Sequence, residues 1–187
     1  MSNSIQVPTK NPTEKLSIPE GLDCVESASL TTIRRVWISW KVAPLILFAI
    51  GWDSFLIFWY STALKSHPPL MAVLFPLGHV AVGIGLTYFI IASLFNKTDI
   101  ECNALGVRVQ TYPIPWMGNC AVRAEDIKGV VLRQRTGNQN NVSYTVMYID
   151  ASRKERKLVR GLTEYEQAAF IAQVIKSTLG LADEESA

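Results

Sequence analysis

Two long apolar runs, nearly free of charge, are the feature that most constrains the fold of this chain. Val42 to Tyr60 is 19 residues long and holds one charged residue, Asp53, and no Lys, Arg, Asp or Glu occurs from Ser66 to Asn96. As helix, the first run spans about 28 Å, close to the thickness of a bilayer's hydrocarbon core. The second, Leu70 to Phe95, spans about 39 Å, so it must tilt or kink. Pro76 gives a reason for a kink near its start.

The two runs predict a transmembrane hairpin over residues 36–95, with helices at 37–62 and 70–95. Basic residues favour the flanks over the connecting loop, which holds only Lys65. The flanking basic residues are Arg34, Arg35 and Lys41 before the hairpin and Lys97 and Arg108 after it. The positive-inside rule therefore places both termini in the cytoplasm.

The flanks of the hairpin have the composition of a soluble protein. Residues 1–15 are polar with two prolines and are predicted to be a disordered tail, and residues 182–187 are a solvated end. Residues 16–35 contain two short alternating runs that are predicted to join a later β domain. That domain occupies residues 97–181. Its predicted strands are Thr98–Cys102, Val107–Tyr112, Asn119–Arg123, Lys128–Arg135, Val142–Asp150 and Arg156–Arg160. A turn at Asn103–Gly106 is predicted to join the first two strands as a hairpin.

An amphipathic helix over residues 163–179 closes this predicted domain. Thr163 and Glu166 have the spacing of a capping box, and Gly180 is well placed to end the helix. The predicted fold class is a membrane protein of the α+β type: a two-helix hairpin followed by an antiparallel β domain with a C-terminal helix.

The order of strands followed by one helix is similar to that of pleckstrin-homology-like (PH-like) domains. Residues 37–181 resemble a group of uncharacterised bacterial integral membrane proteins with a two-helix hairpin and a PH-like domain. The residues that carry the resemblance are Trp52, Phe58-Trp59-Tyr60, Gly83 to Tyr88, Asn96-Lys97-Thr98, Pro113-Ile-Pro115-Trp116 and Leu162, Ala168 and Phe170. The resemblance implies a bacterial inner or cytoplasmic membrane and supplies no activity, ligand or catalytic residue.

Asp53 and His79 are the ionisable groups deep inside the predicted spans. Counted from the outer helix ends, they lie at similar depth, so they are candidates for a pair across the hairpin. An unpaired charged side chain at the centre of a membrane-spanning helix costs about 3 kcal/mol or more. Three interpretations stay open: a proton- or metal-responsive pair, a hydrogen bond that joins the helices, or an Asp53 that reaches water or headgroups. Ala81 and Gly85 form a small-residue face suited to close helix packing.

A basic segment and one tryptophan are the candidate contacts outside the hairpin. The sequence ASRKERK carries Arg153, Lys154, Arg156 and Lys157, which are predicted to attract anionic lipid headgroups or a partner, or to form a solvated hairpin tip. Trp116, between two prolines and a glycine, either enters the membrane interface, anchors a partner or covers one end of the β core.

No sequence motif for catalysis, a cofactor or a metal occurs in the chain. The three cysteines are scattered and form no Cys/His cluster, and the net charge of +2 together with the lack of aromatic residues among the basic ones disfavours nucleic acid. The sequence therefore predicts a non-enzymatic interaction or scaffold module whose partners are the bilayer and a protein, or a second copy bound through the hairpin. The alternative is an oligomeric sensing or transport component that uses Asp53 and His79.

Overall fold

A computed structural model describes residues 3–5, 17–63, 65, 70–137 and 142–181. The chain divides into two compact units. The hairpin unit is Trp37–Asn96, and the β unit combines Met1–Val36 with Lys97–Ala187.

The described residues of the hairpin unit form three α-helices. They are α1 (Ala43–Ala63), α2 (Leu70–Leu74) and α3 (Leu77–Phe95), and a 3-10 turn at Trp40–Val42 precedes α1. α1 begins at Ala43 rather than at residue 37 because Pro44 fits the first turn of a helix, whereas inside one it removes a hydrogen bond and clashes with the preceding turn. The predicted kink is a break between α2 and α3 at Phe75 and Pro76.

α1 and α3 are long and apolar enough to cross a membrane. Of their most apolar stretches only 11% and 22% of residues are buried, whereas a core helix of a soluble protein would be mostly buried. Large apolar side chains such as Leu47, Ile57 and Ile84 point away from the unit. Length, composition and exposure therefore all suit a lipid environment.

The β unit contains two antiparallel sheets, which confirms the α+β class. One sheet has the order β2-β3-β4-β5-β6 and the other β1-β7-β8-β9. The strands are β1 (Asn3–Ile5), β2 (Leu22–Glu26), β3 (Thr31–Val36), β4 (Lys97–Asn103), β5 (Gly106–Tyr112), β6 (Cys120–Arg123), β7 (Gly129–Thr136), β8 (Val142–Ile149) and β9 (Glu155–Leu162). The segment before the hairpin thus supplies β2 and β3, and β3 pairs with β4.

Alternation along the strands builds the core between the sheets. Ile100 and Val109 point inward from the first sheet, and Leu132 and Val146 from the second. The helix α4 (Tyr165–Leu179) packs its apolar face on strands of both sheets. The β4–β5 turn confirms the predicted Asn103–Gly106 hairpin, since the Asn103 side chain accepts hydrogen bonds from two turn amides.

Three sequence predictions for the ends of this unit need correction or fall outside it. The Thr163–Glu166 capping box is wrong: α4 begins at Tyr165, its N-cap is Glu164, and no side chain caps it. The backbone is still extended at Glu164, two residues after β9 ends, so Thr163 is not the N-cap. β1 pairs with β7 inside the predicted disordered tail, so that prediction does not hold for these three residues. The rest of that tail and residues 182–187 lie outside the described residues.

Candidate membrane interface

The first sheet connects to the hairpin at one of its ends, and one row of paired residues marks that end. Val36 pairs with Lys97, and Lys97 pairs with Tyr112. Val36 is bonded to the first residue of the hairpin and Lys97 to its last. Both connections therefore leave from neighbouring strands at one end of the sheet, here called the junction end.

The β5–β6 loop, residues 113–119, begins at the junction end directly after Tyr112. The Asn119 side chain accepts a hydrogen bond from the Thr111 amide at 2.8 Å and so ties the two ends of the loop together. Trp116 is half-buried, whereas Met117 is 86% exposed. The loop is thus anchored to the sheet and presents an apolar tip.

Three polar side chains lock the outer face of the junction end. Asp99 accepts two hydrogen bonds of 2.9 Å from the Arg34 guanidinium and one of 2.7 Å from the Tyr112 hydroxyl. The Arg34 guanidinium holds the pKa of Asp99 below its usual range, and the bond to Asp99 raises the pKa of Tyr112. This cluster cross-links three strands where the hairpin joins them.

Arg35 joins the two sheets at the same end. Its guanidinium donates a 2.7 Å hydrogen bond to the carbonyl oxygen of Gly161 in β9, and burial lowers its pKa. Because Gly161 lies next to Leu162, which pairs with Tyr144, this contact assigns the Tyr144 end of the second sheet to the junction end as well.

The ASRKERK turn lies at the opposite end of the β unit. It connects β8 to β9 beyond the Ile149–Glu155 pair, five residues and about 17 Å along β8 from Tyr144. The predicted lipid-contact set is therefore divided: Trp116 is at the junction end, and the basic turn is at the far end.

Two of the basic residues in this part of the chain are already paired. Arg156 donates to Asp150 at 2.7 Å, and Arg133 forms a bidentate ion pair with Glu155. The Arg156 side chain and two turn amides hold the pKa of Asp150 below its usual range. Asp150 therefore acts as the organiser of the turn rather than as a site for a ligand.

Arg153, Lys154 and Lys157 are exposed and form no ion pair within the described part of the chain. An open pocket of about 350 Å³ lies between β6 and the β8–β9 turn, lined by Tyr148, Asp126 and the Asp150–Arg156 pair, and Arg153 follows the lining residue Ser152 in the chain. The far end thus offers free positive charge beside a polar depression.

Asp53 lies at the middle of α1 and contacts α3. Its Oδ2 accepts a 2.9 Å hydrogen bond from the Thr87 hydroxyl. A Cβ atom added to Gly83 would lie 2.7 Å from Asp53 Oδ1, so the carboxyl group rests against the backbone of α3. Of the three interpretations left open by the sequence, this geometry favours a hydrogen bond that joins the helices, with Thr87 rather than His79 as the partner.

His79 has different neighbours. Its ring stacks on Trp52 at a centroid distance of 5.6 Å and contacts Phe75, and its carbonyl accepts from the Trp52 indole. The structure therefore does not bring the predicted pair together.

Counting ionisable residues missed the partner of Asp53 because Thr87 carries no charge. The usable signal was Gly83 and Thr87, four residues apart and hence on one helix face. The small-residue face predicted at Ala81 and Gly85 is exposed instead, and an added Cβ at Gly85 would meet no atom within 4 Å.

The described cysteines show no activation. Burial raises the pKa of Cys102 to about 12 and is the main cause of the raised pKa of Cys24 and Cys120. A protonated thiol is a weak nucleophile and a weak metal ligand.

Comparison of the chain with models of protein families gave no match, and comparison with curated proteins gave no match either.

Proposed function

We propose that this protein is a non-enzymatic, membrane-anchored interaction module that presents a PH-like domain at the cytoplasmic face of a bacterial membrane. The observation that carries the proposal is the pairing of β3 with β4, the two strands that flank the hairpin. Two strands of one sheet must lie on one side of a membrane. If α1 and α3 span the bilayer, they therefore do so as a returning hairpin, and the sheet forms from both flanks.

The PH-like assignment is supported by two antiparallel sheets that share a core with one C-terminal helix. The cytoplasmic orientation is supported by the basic flanks, in particular Arg34, Arg35 and Lys97 within three residues of the hairpin. The high thiol pKa values of the three cysteines and the full engagement of Asp99 and Asp150 by partners support a role in binding rather than in catalysis.

The far end of the β unit is the proposed partner surface. Arg153 and Lys154 lie beyond the Ile149–Glu155 pair, about 17 Å along the sheet from the junction end, and Lys157, which pairs with Met147, lies about 10 Å from it. They are therefore better placed for a protein with an acidic surface than for lipid headgroups. This is a different use of the basic turn from headgroup attraction.

The test is crosslinking of the full chain in native membranes, with a photoreactive residue replacing Ser152, followed by purification. We expect one dominant partner whose capture is lost in the double variant Arg153→Glu, Lys154→Glu and kept in the control Arg160→Glu, which reverses an exposed charge near the other end of β9. Equal capture by both variants would refute the basic turn as the partner surface.

The alternative, an oligomeric sensing or transport component, needs Asp53 and His79 to act together. Their separate neighbours give it no support, so it remains a second hypothesis that a monomeric mass in native membranes would exclude.

A further inference from the structure

We propose that the β5–β6 loop, residues 113–119, inserts its apolar tip into the headgroup interface of the membrane that the hairpin crosses. This inference rests on the proposed function, since it requires α1 and α3 to span the bilayer. It assigns a lipid-contact site to Trp116 and Met117 and withdraws that role from the ASRKERK turn.

Strand direction carries the first step. β3 and β5 both pair antiparallel with β4, so they run in the same direction. β3 leads directly into the hairpin, and β5 leads into the loop from the same row of the sheet. Adjacent strands are about 4.8 Å apart, so the loop leaves the sheet about 10 Å from one connection to the hairpin and about 5 Å from the other.

The composition of the loop carries the second step. The sequence PIPWMGN contains no charged residue, so its insertion into the interface has no cost of charge desolvation. Tryptophan is enriched at membrane interfaces because its ring is apolar and its N–H can still find a polar partner. Met117 is 86% exposed, so its apolar side chain is accessible to lipid.

The third step is the anchoring of the loop. The bond from the Thr111 amide to Asn119 holds its two ends together, so ordering the tip at a membrane loses little further conformational entropy. The exposed Lys97 lies at the same end of the sheet, where an ammonium group suits the phosphates of the headgroups.

The β4–β5 turn offers a matched control. Leu105 is 81% exposed in an uncharged turn at the other end of the same strand pair. Positions 105 and 117 are thus alike in exposure and polarity. They differ in their place along the strands, where they lie about 20 Å apart at opposite ends. Membrane contact should therefore be seen at 117 and not at 105.

The experiment uses the full chain in lipid bilayers with Cys24, Cys102 and Cys120 replaced by alanine. Single spin labels are attached through Met117→Cys, Leu105→Cys and Ile50→Cys, and their collisions with oxygen, which is enriched in lipid, and with a water-soluble nickel complex are measured. Ile50 lies near the middle of α1 and is 60% exposed, so it reports whether the hairpin is in the membrane.

We expect labels at positions 50 and 117 to collide several-fold more with oxygen relative to nickel than the label at 105. If position 50 is in lipid while positions 117 and 105 both report water, the loop proposal is overturned and the proposed function stands. If position 50 also reports water, both fail.

A second measurement serves if the alanine background does not fold. Lipids brominated near the headgroup are added to the wild type and to Trp116→Phe. A smaller total quenched intensity in the variant than in the wild type supports insertion. An unchanged total quenched intensity, with the quenched fraction raised because an unquenched tryptophan is gone, overturns it.

Discussion

Replacement of Gly83 by alanine should loosen the hairpin through the carboxyl group of Asp53. The added Cβ would lie 2.7 Å from Asp53 Oδ1, 3.4 Å from Trp52 Cδ1 and 3.6 Å from Leu56 Cδ1. The first distance is below any that real Cβ atoms adopt, whereas the other two are tight or ordinary contacts. The carboxyl group must therefore rotate, which breaks its 2.9 Å hydrogen bond from Thr87.

The magnitude follows from the bond that is lost. Hydrogen bonds between transmembrane helices contribute about 0.6 kcal/mol on average and up to about 1.7 kcal/mol. We expect Gly83→Ala to lower the free energy of unfolding by about 1 kcal/mol. Gly85→Ala is the matched control, because its Cβ would meet no atom within 4 Å, and it should be neutral or slightly stabilising.

The assay is unfolding of the purified protein in mixed micelles by increasing SDS, followed by circular dichroism. A double-mutant cycle with Thr87→Val identifies the mechanism: if Gly83→Ala acts by breaking the Asp53–Thr87 bond, it adds little once that bond is gone. Equal stability of Gly83→Ala and Gly85→Ala would refute the packing described for α1 and α3. Fully additive effects would refute the role of Asp53.

Three further predictions concern the β unit. Because the pKa of Asp99 is lowered in the folded state, the Asp99 carboxylate stabilises the fold fully above its unfolded pKa of about 4. This stabilisation is lost as the pH falls through the lower folded pKa. Asp99→Asn should therefore lessen the loss of stability that thermal unfolding measures between about pH 5 and pH 2. Gly106→Ala should lower the free energy of unfolding by about 3 kcal/mol, because its Cβ would lie 2.2 Å from a carbonyl oxygen of β6. Gly118→Ala should lower it by only about 1 kcal/mol, because the added Cβ meets open space and the cost comes from the positive φ alone. Thr98 and Thr111 share a buried 2.9 Å hydrogen bond, so valine at either position should cost about 1–3 kcal/mol in denaturant titration, and the double variant less than the sum.

The parts of the fold that could be predicted from sequence are those set by local chemistry. A long apolar run with little or no charge marks a helix that could cross a membrane, and a proline marks its break. Asn103 with Gly106 marks a tight turn. Each of these signals depends on residues close in sequence. Gly180 likewise ends α4 with a left-handed φ of 62°.

The contacts that sequence reasoning missed depend on residues far apart in the chain. Asp53 and His79 were paired because their predicted depths in the membrane are similar. In the structure α3 begins only at Leu77, after a break, and the face that it turns toward Asp53 carries Gly83 and Thr87. The basic turn and Trp116 were grouped by chemistry, and only the strand register shows that they lie at opposite ends of the β unit.

If α1 and α3 cross a bilayer, as proposed, the position of the hairpin within the fold links membrane insertion to completion of the β unit. β2 and β3 precede the hairpin in the chain and pair with each other, and the other edge of β3 pairs with β4, which follows the hairpin. Two contacts complete this pairing: the Val36–Lys97 pair of the ladder and the Arg34–Asp99 ion pair. Both can form only when the two flanks are on one side of the bilayer. A chain inserted with one crossing would leave β3 and β4 on opposite sides of the membrane, so the first sheet would lose the continuity that joins β2 and β3 to the core. On that proposal, folding of the β unit selects the returning hairpin over a single crossing, in addition to the selection that basic flanking residues exert during insertion.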